Sequence, residues 1–173
     1  MLPNPLHPAV VHFPVVIAFL LPFFATGAVW MIRRGAAPRR AWSVPLALAA
    51  VLWLSAWAAV ETGEDQDERV ERVVAEQPLS THEDMAEMFL TASLVVMLIA
   101  GAGMAPGKFG RAGRALAVAG SVALVVGAAR VGHSGGQLVY RYGAASAYAN
   151  PPADSTTAGQ VSAERRRGED DDR

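Results

Sequence analysis

Cysteine is absent from the 173 residues. The chain therefore forms no disulfide, thiolate metal site, iron–sulfur cluster or covalent c-type haem attachment. No HExxH, no nucleotide-binding loop and no nucleophile elbow occurs, which weighs against a metalloprotease, a nucleotide enzyme and a serine hydrolase. No cationic segment precedes the first apolar run and no small-residue cleavage site follows it, so no signal peptide is expected and the first helix stays in the product. Fixed charge is missing over long windows: residues 1–32, 41–60 and 88–107 hold no Asp, Glu, Lys or Arg, and 115–140 hold only Arg130.

Hydrophobic residues make up 52% of the chain and the mean hydropathy is +0.25. A membrane crossing needs about 20 apolar residues, roughly 30 Å of helix. The charge-free windows predict an all-α, integral membrane four-helix bundle with spans near 10–32, 42–61, 84–105 and 113–133. A soluble bundle would require polar helix faces that these windows lack.

The charges that exist are sorted by link. Arg33, Arg34, Arg39 and Arg40 follow the first span, and Lys108, Arg111 and Arg114 follow the third, with no acid in either link. The middle link, Glu61 to Asp84, carries nine acids against Arg69 and Arg72. The positive-inside rule places both basic links in the cytoplasm. The expected topology is N-out/C-out in a bacterial inner membrane, multi-pass, with the acidic link facing the periplasm. The net charge of −1 gives no reason to expect a nucleic-acid partner.

Within the acidic link, Val70, Val73 and Val74 recur among charges between Asp65 and Gln77, predicting a short amphipathic surface helix. Pro78 is expected to end it. Ser80 and Glu83 read as a capping box that opens the third span, with His82 in its first turn. Pro3, Pro5 and Pro8 predict an extended N-terminal entry, Pro22 a kink in the first span, and Pro45 a place in the first turn of the second. Gly113, Gly120 and Gly127, with Ala119 and Ala123, form small-residue rows on the fourth span, which admit a neighbouring helix or a flat cofactor. Residues 1–143 are expected to form the transmembrane domain and 144–173 a disordered polar tail.

This topology brings all four histidines, His7, His12, His82 and His133, to one membrane surface. Bis-imidazole ligation of haem b, with cations for the propionates, is the chemistry this set suggests first. Depth in antiparallel first and fourth helices favours His12 with His133 or His82 as the axial pair, with His7 peripheral. Arg130 and Arg141 are the expected propionate partners, and Glu61 an alternative partner of Arg130. A copper or zinc site on His12, His82 and His133, with Glu83 or Glu61, is the alternative for a bare metal. The histidines also suit a structural role in a non-catalytic subunit that anchors or assembles a larger membrane complex. The partners expected are the lipid bilayer and either redox proteins or that complex.

The stretch Leu6-His7-Pro8-Ala9-Val10-Val11-His12-Phe13-Pro14 resembles the HPxxVHFP opening of a bacterial membrane family known as domain of unknown function twenty-two thirty-one. Glu61-Thr62-Gly63, His82-Glu83 and Gly132-His133-Ser134-Gly135-Gly136-Gln137-Leu138-Val139-Tyr140 resemble its later motifs. The resemblance runs from about residue 6 to 143. It implies a four-helix membrane domain of a kind sometimes fused to, or found beside, redox modules, and hence electron transfer. The family's last motif commonly continues into YxHG. Here it reads Tyr140-Arg141-Tyr142-Gly143, which removes an imidazole at that position and weighs against a second haem.

Overall fold

A computed structural model describes residues 6–149 of the chain. Seven helices appear there: α1 (His7–Val10), α2 (His12–Arg33), α3 (Pro38–Glu64), α4 (Asp67–Val70), α5 (Glu76–Ala102), α6 (Gly107–Tyr140) and α7 (Ser146–Ala149). Four helical stretches, His7–Arg33, Pro38–Glu64, Glu76–Ala102 and Gly107–Tyr140, are long and apolar enough to cross a membrane. The long helices contact each other in the cyclic order α2, α3, α5, α6. The first and last spans are thus neighbours, as an up-and-down bundle requires.

Local chemistry sets the helix ends. Arg34 closes α2, Gly35 adopts φ +99°, and Ala36 and Gly35 return their N–H groups to Met31 and Ile32. This is a Schellman stop, and glycine is the residue that enters its left-handed position without strain. Pro38 then opens α3 at a position whose N–H has no helical acceptor.

The core is built from small residues. Ala18, Leu21, Ala25 and Ala28 on α2 cluster with Ala49 and Leu52 on α3 and Ala117, Leu124 and Ala128 on α6. Many large apolar side chains lie outside: Phe23 is 73% exposed while Ala18 is 0% exposed. In lipid no hydrophobic force drives helices together, so close backbone approach through small residues replaces it and the bulky apolar groups meet acyl chains.

The basic links share one end of the bundle. There Trp42 Nε1 donates to the Ala100 carbonyl at 2.8 Å, and the buried Arg114 guanidinium donates to the Gly103 carbonyl at the end of α5. The opposite end is closed by Val74, Leu79, Leu138 and Ala144, with Val70 packed on them.

Several expected boundaries shift. Helix α5 starts at Glu76, not near 84, and Pro78 falls inside its first turn, where a missing N–H costs little. Ser80 caps nothing and instead donates to the Gln77 carbonyl, and His82 sits in the second turn. Helix α6 runs on through Gly132, Gly135 and Gly136 to Tyr140. Pro45 lies inside α3, beyond its first turn. Pro8 lies within the helical turn α1 rather than in an extended entry; Pro3 and Pro5 lie outside the described residues. The helix in the acidic link is the single turn α4, with Val70 and Val74 packed inward and Val73 exposed. Ordered structure passes residue 143: Ala144 is buried and the Tyr148 hydroxyl donates to Gln66. The rest of the expected tail, 150–173, lies outside the described residues.

Candidate functional site

The acidic end of the bundle holds a cavity of ≈ 510 Å³ into which His7 and His82 both project. Their imidazole centroids are 6.5 Å apart and their planes cross at 87°. His7 arrives on the short turn α1, which the proline at its second position helps to start. His82 arrives on α5.

Each ring is anchored through the same nitrogen. His7 Nδ1 lies 2.8 Å from the Ala59 carbonyl of α3. A carbonyl only accepts, so Nδ1 carries the proton. His82 Nδ1 lies 2.8 Å from Ser134 Oγ of α6. The Ser134 hydroxyl already donates its one hydrogen to the Val131 carbonyl at 2.9 Å, so it accepts from His82. In their neutral forms both imidazoles are then the Nδ1–H tautomer, with Nε2 carrying the lone pair. This is the arrangement that orients histidines toward a metal: one nitrogen tied to the framework, the other left as a lone pair.

Two glycines make room for the rings. A Cβ on Gly63 would stand 3.3 Å from His7 Cε1 and Nδ1, and a Cβ on Gly135 would stand 3.1 Å from His82 Cε1. Thr62 and Ser134, beside those glycines, are the hydroxyl residues nearest the imidazoles; Thr62 Oγ1 is 3.5 Å from His7 Nδ1 while its own hydrogen goes to the Ala58 carbonyl.

The rim is acidic. Glu64, Asp67, Glu83 and Glu87 line the cavity. Burial pushes the Asp67 carboxyl above its ordinary range, and the charges of Glu64 and Glu71 push it further. A cation stands beside this rim: the Arg69 guanidinium lies 5.4 Å from the ring of Tyr148, itself a lining residue.

The other expected site residues lie elsewhere. His12 and His133 are exposed on the outside of α2 and α6, and the Gln137 amide nitrogen lies 3.0 Å from His133 Nε2. Arg130 and Glu61 are exposed. Arg141 is exposed and lies over the Tyr142 ring at 5.7 Å. None of these five lines the cavity. The pair brought together is thus His7 with His82, and the residue expected to be peripheral, His7, is half of it. Among the described residues no group of three His, Asp or Glu side chains has the geometry to hold a metal ion, so the trio His12, His82 and His133 is not assembled.

The reason is helical phase. Because α6 does not stop at His133, neighbouring side chains are splayed by about 100° per residue. Ser134 and Gly135 then face inward to His82 while His133 faces out. The usable signal in the sequence was the pairing of a hydroxyl residue with a glycine, Thr62-Gly63 and Ser134-Gly135, on two different helices.

No curated protein and no solved structure matches the chain. The family model described as a predicted membrane protein, DUF2231, matches residues 3–147, and the chain belongs to that family.

Proposed function

We propose that the protein is a membrane haem b carrier that would transfer electrons at the acidic end of its bundle, with His7 and His82 as the residues that would hold the haem iron. The observation that carries this reading is the His7–His82 pair itself. The imidazole centroids lie 6.5 Å apart, a separation that would admit one metal ion between the rings. Both Nδ1 atoms are tied back, which in the neutral rings would leave Nε2 as the nitrogen to hold a metal. Two imidazoles without a third ligand suit an iron whose other four positions are filled by a porphyrin better than a bare copper or zinc ion. The cavity volume lies within the range of cofactor pockets.

Bound haem supplies one-electron exchange between its ferric and ferrous forms. The chain supplies the rest. Ala59 and Ser134 hold the imidazoles in one tautomer and one orientation, and Gly63 and Gly135 keep the space beside them open. Arg69, 5.4 Å from the ring of the lining residue Tyr148, would be the cation to meet a propionate, while the four rim carboxylates would favour the more positive, oxidised state. The charge pattern of the links supports placing this end on the periplasmic side of a bacterial inner membrane.

The test is the absorbance of the purified full chain, oxidised and dithionite-reduced, with metal analysis of the same sample. A low-spin bis-imidazole spectrum that disappears in His7→Ala and in His82→Ala supports the proposal. Stoichiometric copper or zinc without haem would instead indicate the bare-metal site. Neither would point to an anchoring or assembly subunit whose histidines serve the fold.

A further inference from the structure

A second concavity lies at the other end of the bundle, on the seam between α2 and α3, and measures ≈ 480 Å³. Its floor is the buried pair Ala28 and Pro45, and its walls are the exposed side chains of Phe24, Met31 and Val44. Helical spacing builds it. Phe24, Ala28 and Met31 stand at i, i+4 and i+7 on one face of α2, and Arg40 and Val44 at i and i+4 on one face of α3. Arg40 is itself a lining residue, so the apolar channel ends at a fixed cation on its link side. Packing does not consume the space: a Cβ on Gly27, also in the lining, would have nothing within 4 Å.

What this cation lacks is a carboxylate. Residues 1–60 and 88–153 contain no Asp or Glu, so the acids of the described residues all fall between Glu61 and Glu87, toward the opposite end. The basic end holds four arginines in the first link, with Lys108, Arg111 and Arg114 after the third span. Two of these cations are engaged within the chain: Arg114 donates to the Gly103 carbonyl, and the Arg34 guanidinium lies over the Trp30 ring at 5.0 Å. A charge at the edge of the hydrocarbon calls for a counter-charge. For Arg40 the chain supplies no carboxylate in either link at this end, and the counter-charge comes from outside it.

We infer that this groove binds an anionic phospholipid, its phosphate at the Arg40 guanidinium and one acyl chain along the α2–α3 seam. The planar fork of arginine matches phosphate oxygens, and the apolar channel below it matches a hydrocarbon chain. A zwitterionic headgroup brings a cation of its own, which meets no carboxylate at this end. Free phosphate has no use for the channel. The charge pattern of the links supports placing this end in the cytoplasmic leaflet, where anionic headgroups are concentrated. The inference does not depend on what His7 and His82 hold.

Native mass spectrometry of the full chain, released from detergent and titrated with phosphatidylglycerol or phosphatidylcholine, reads the affinity for the first bound lipid. Phosphatidylglycerol is expected to bind at least about fivefold more tightly than phosphatidylcholine, the scale of one arginine at an anionic surface. Arg40→Gln should erase that preference, while Arg39→Gln, one residue away but outside the lining, should retain it. Gly27→Leu, which fills the channel and leaves Arg40 in place, should weaken phosphatidylglycerol binding by about fivefold. Should Gly27→Leu misfold, the Arg40 and Arg39 variants decide. Equal affinity of the wild type for the two lipids, equal losses in the Arg40 and Arg39 variants, unchanged binding in a folded Gly27→Leu chain, or displacement of phosphatidylglycerol by equimolar inorganic phosphate would each overturn the inference.

Discussion

His7 and His82 face each other across 6.5 Å with their rings at 87°, although they are 75 positions apart in the chain and held by two further helices. Each is fixed at Nδ1, by Ala59 of α3 and Ser134 of α6 respectively. One pair of imidazoles thus ties four helical segments together at one end of the bundle. If they are axial ligands, His7→Ala and His82→Ala each abolish the low-spin haem spectrum while His12→Ala and His133→Ala retain it. Retention of the spectrum in either of the first two variants would remove that residue from the ligand pair.

The support of His82 is separable from His82 itself. Ser134→Ala deletes the acceptor at Nδ1, a part-buried hydrogen bond worth about 0.5–1.5 kcal/mol. The expected result is a protein that still binds haem but has a shifted reduction potential, because the ligand's orientation and basicity change. Gly135→Ala places a methyl 3.1 Å from His82 Cε1 and should lower haem content more than Ser134→Ala does. Potentiometric titration and haem-to-protein ratio read the two effects.

Arg114 answers for the opposite end. It is 7% exposed and donates to the Gly103 carbonyl at the end of α5. Arg114→Ala leaves that carbonyl without its donor and should destabilise the bundle by about 1.5–3 kcal/mol, the scale of a hydrogen bond to a charged group. Lysine, a point charge without the planar fork, should restore only part of it. Thermal denaturation in detergent gives the ranking, and an Arg114→Ala midpoint equal to wild type would show that the contact contributes nothing.

Asp67 predicts a pH effect of definite sign. Its folded-state pKa is raised by burial and by Glu64 and Glu71. A raised carboxyl pKa means that its stabilising contribution is complete below the unfolded value and is lost as pH rises through the folded value. Asp67→Asn should therefore be more stable than wild type at neutral pH, and the gain should vanish as pH falls through the carboxylate range. A gain that is the same at every pH would assign the effect to packing instead.

Orientation in the membrane rests on charge alone. Reporter fusions after Arg40 and after Gly110 should report cytoplasm, and fusions within 65–77 and after Tyr142 the outer side. A cytoplasmic signal from the acidic link would reverse the assignment of the His7–His82 end to the periplasm.

By itself the sequence determined the class of the protein: length, apolarity and the absence of charge over four windows leave little but four spanning helices, because an unsatisfied backbone has no place in hydrocarbon. It also determined that the histidines gather at one end, since chain direction alternates with each span, whereas the adjacency of the first and fourth spans came from packing. Two further things were settled only by tertiary structure. The first was where helices stop: α6 runs on past His133 through Gly135 and Gly136 to Tyr140, packed against its neighbours, whereas Pro78 proved to be a first-turn proline of α5, which starts at Glu76. The second was which histidines meet. Depth is a property of sequence position, but facing is a property of helical phase, and extending α6 past His133 turns that ring outward while bringing Ser134 and Gly135 to His82. His7 enters the pair for a related reason. Its segment coils into α1, and its partner, the Ala59 carbonyl, is a backbone group of another helix that side-chain composition does not mark.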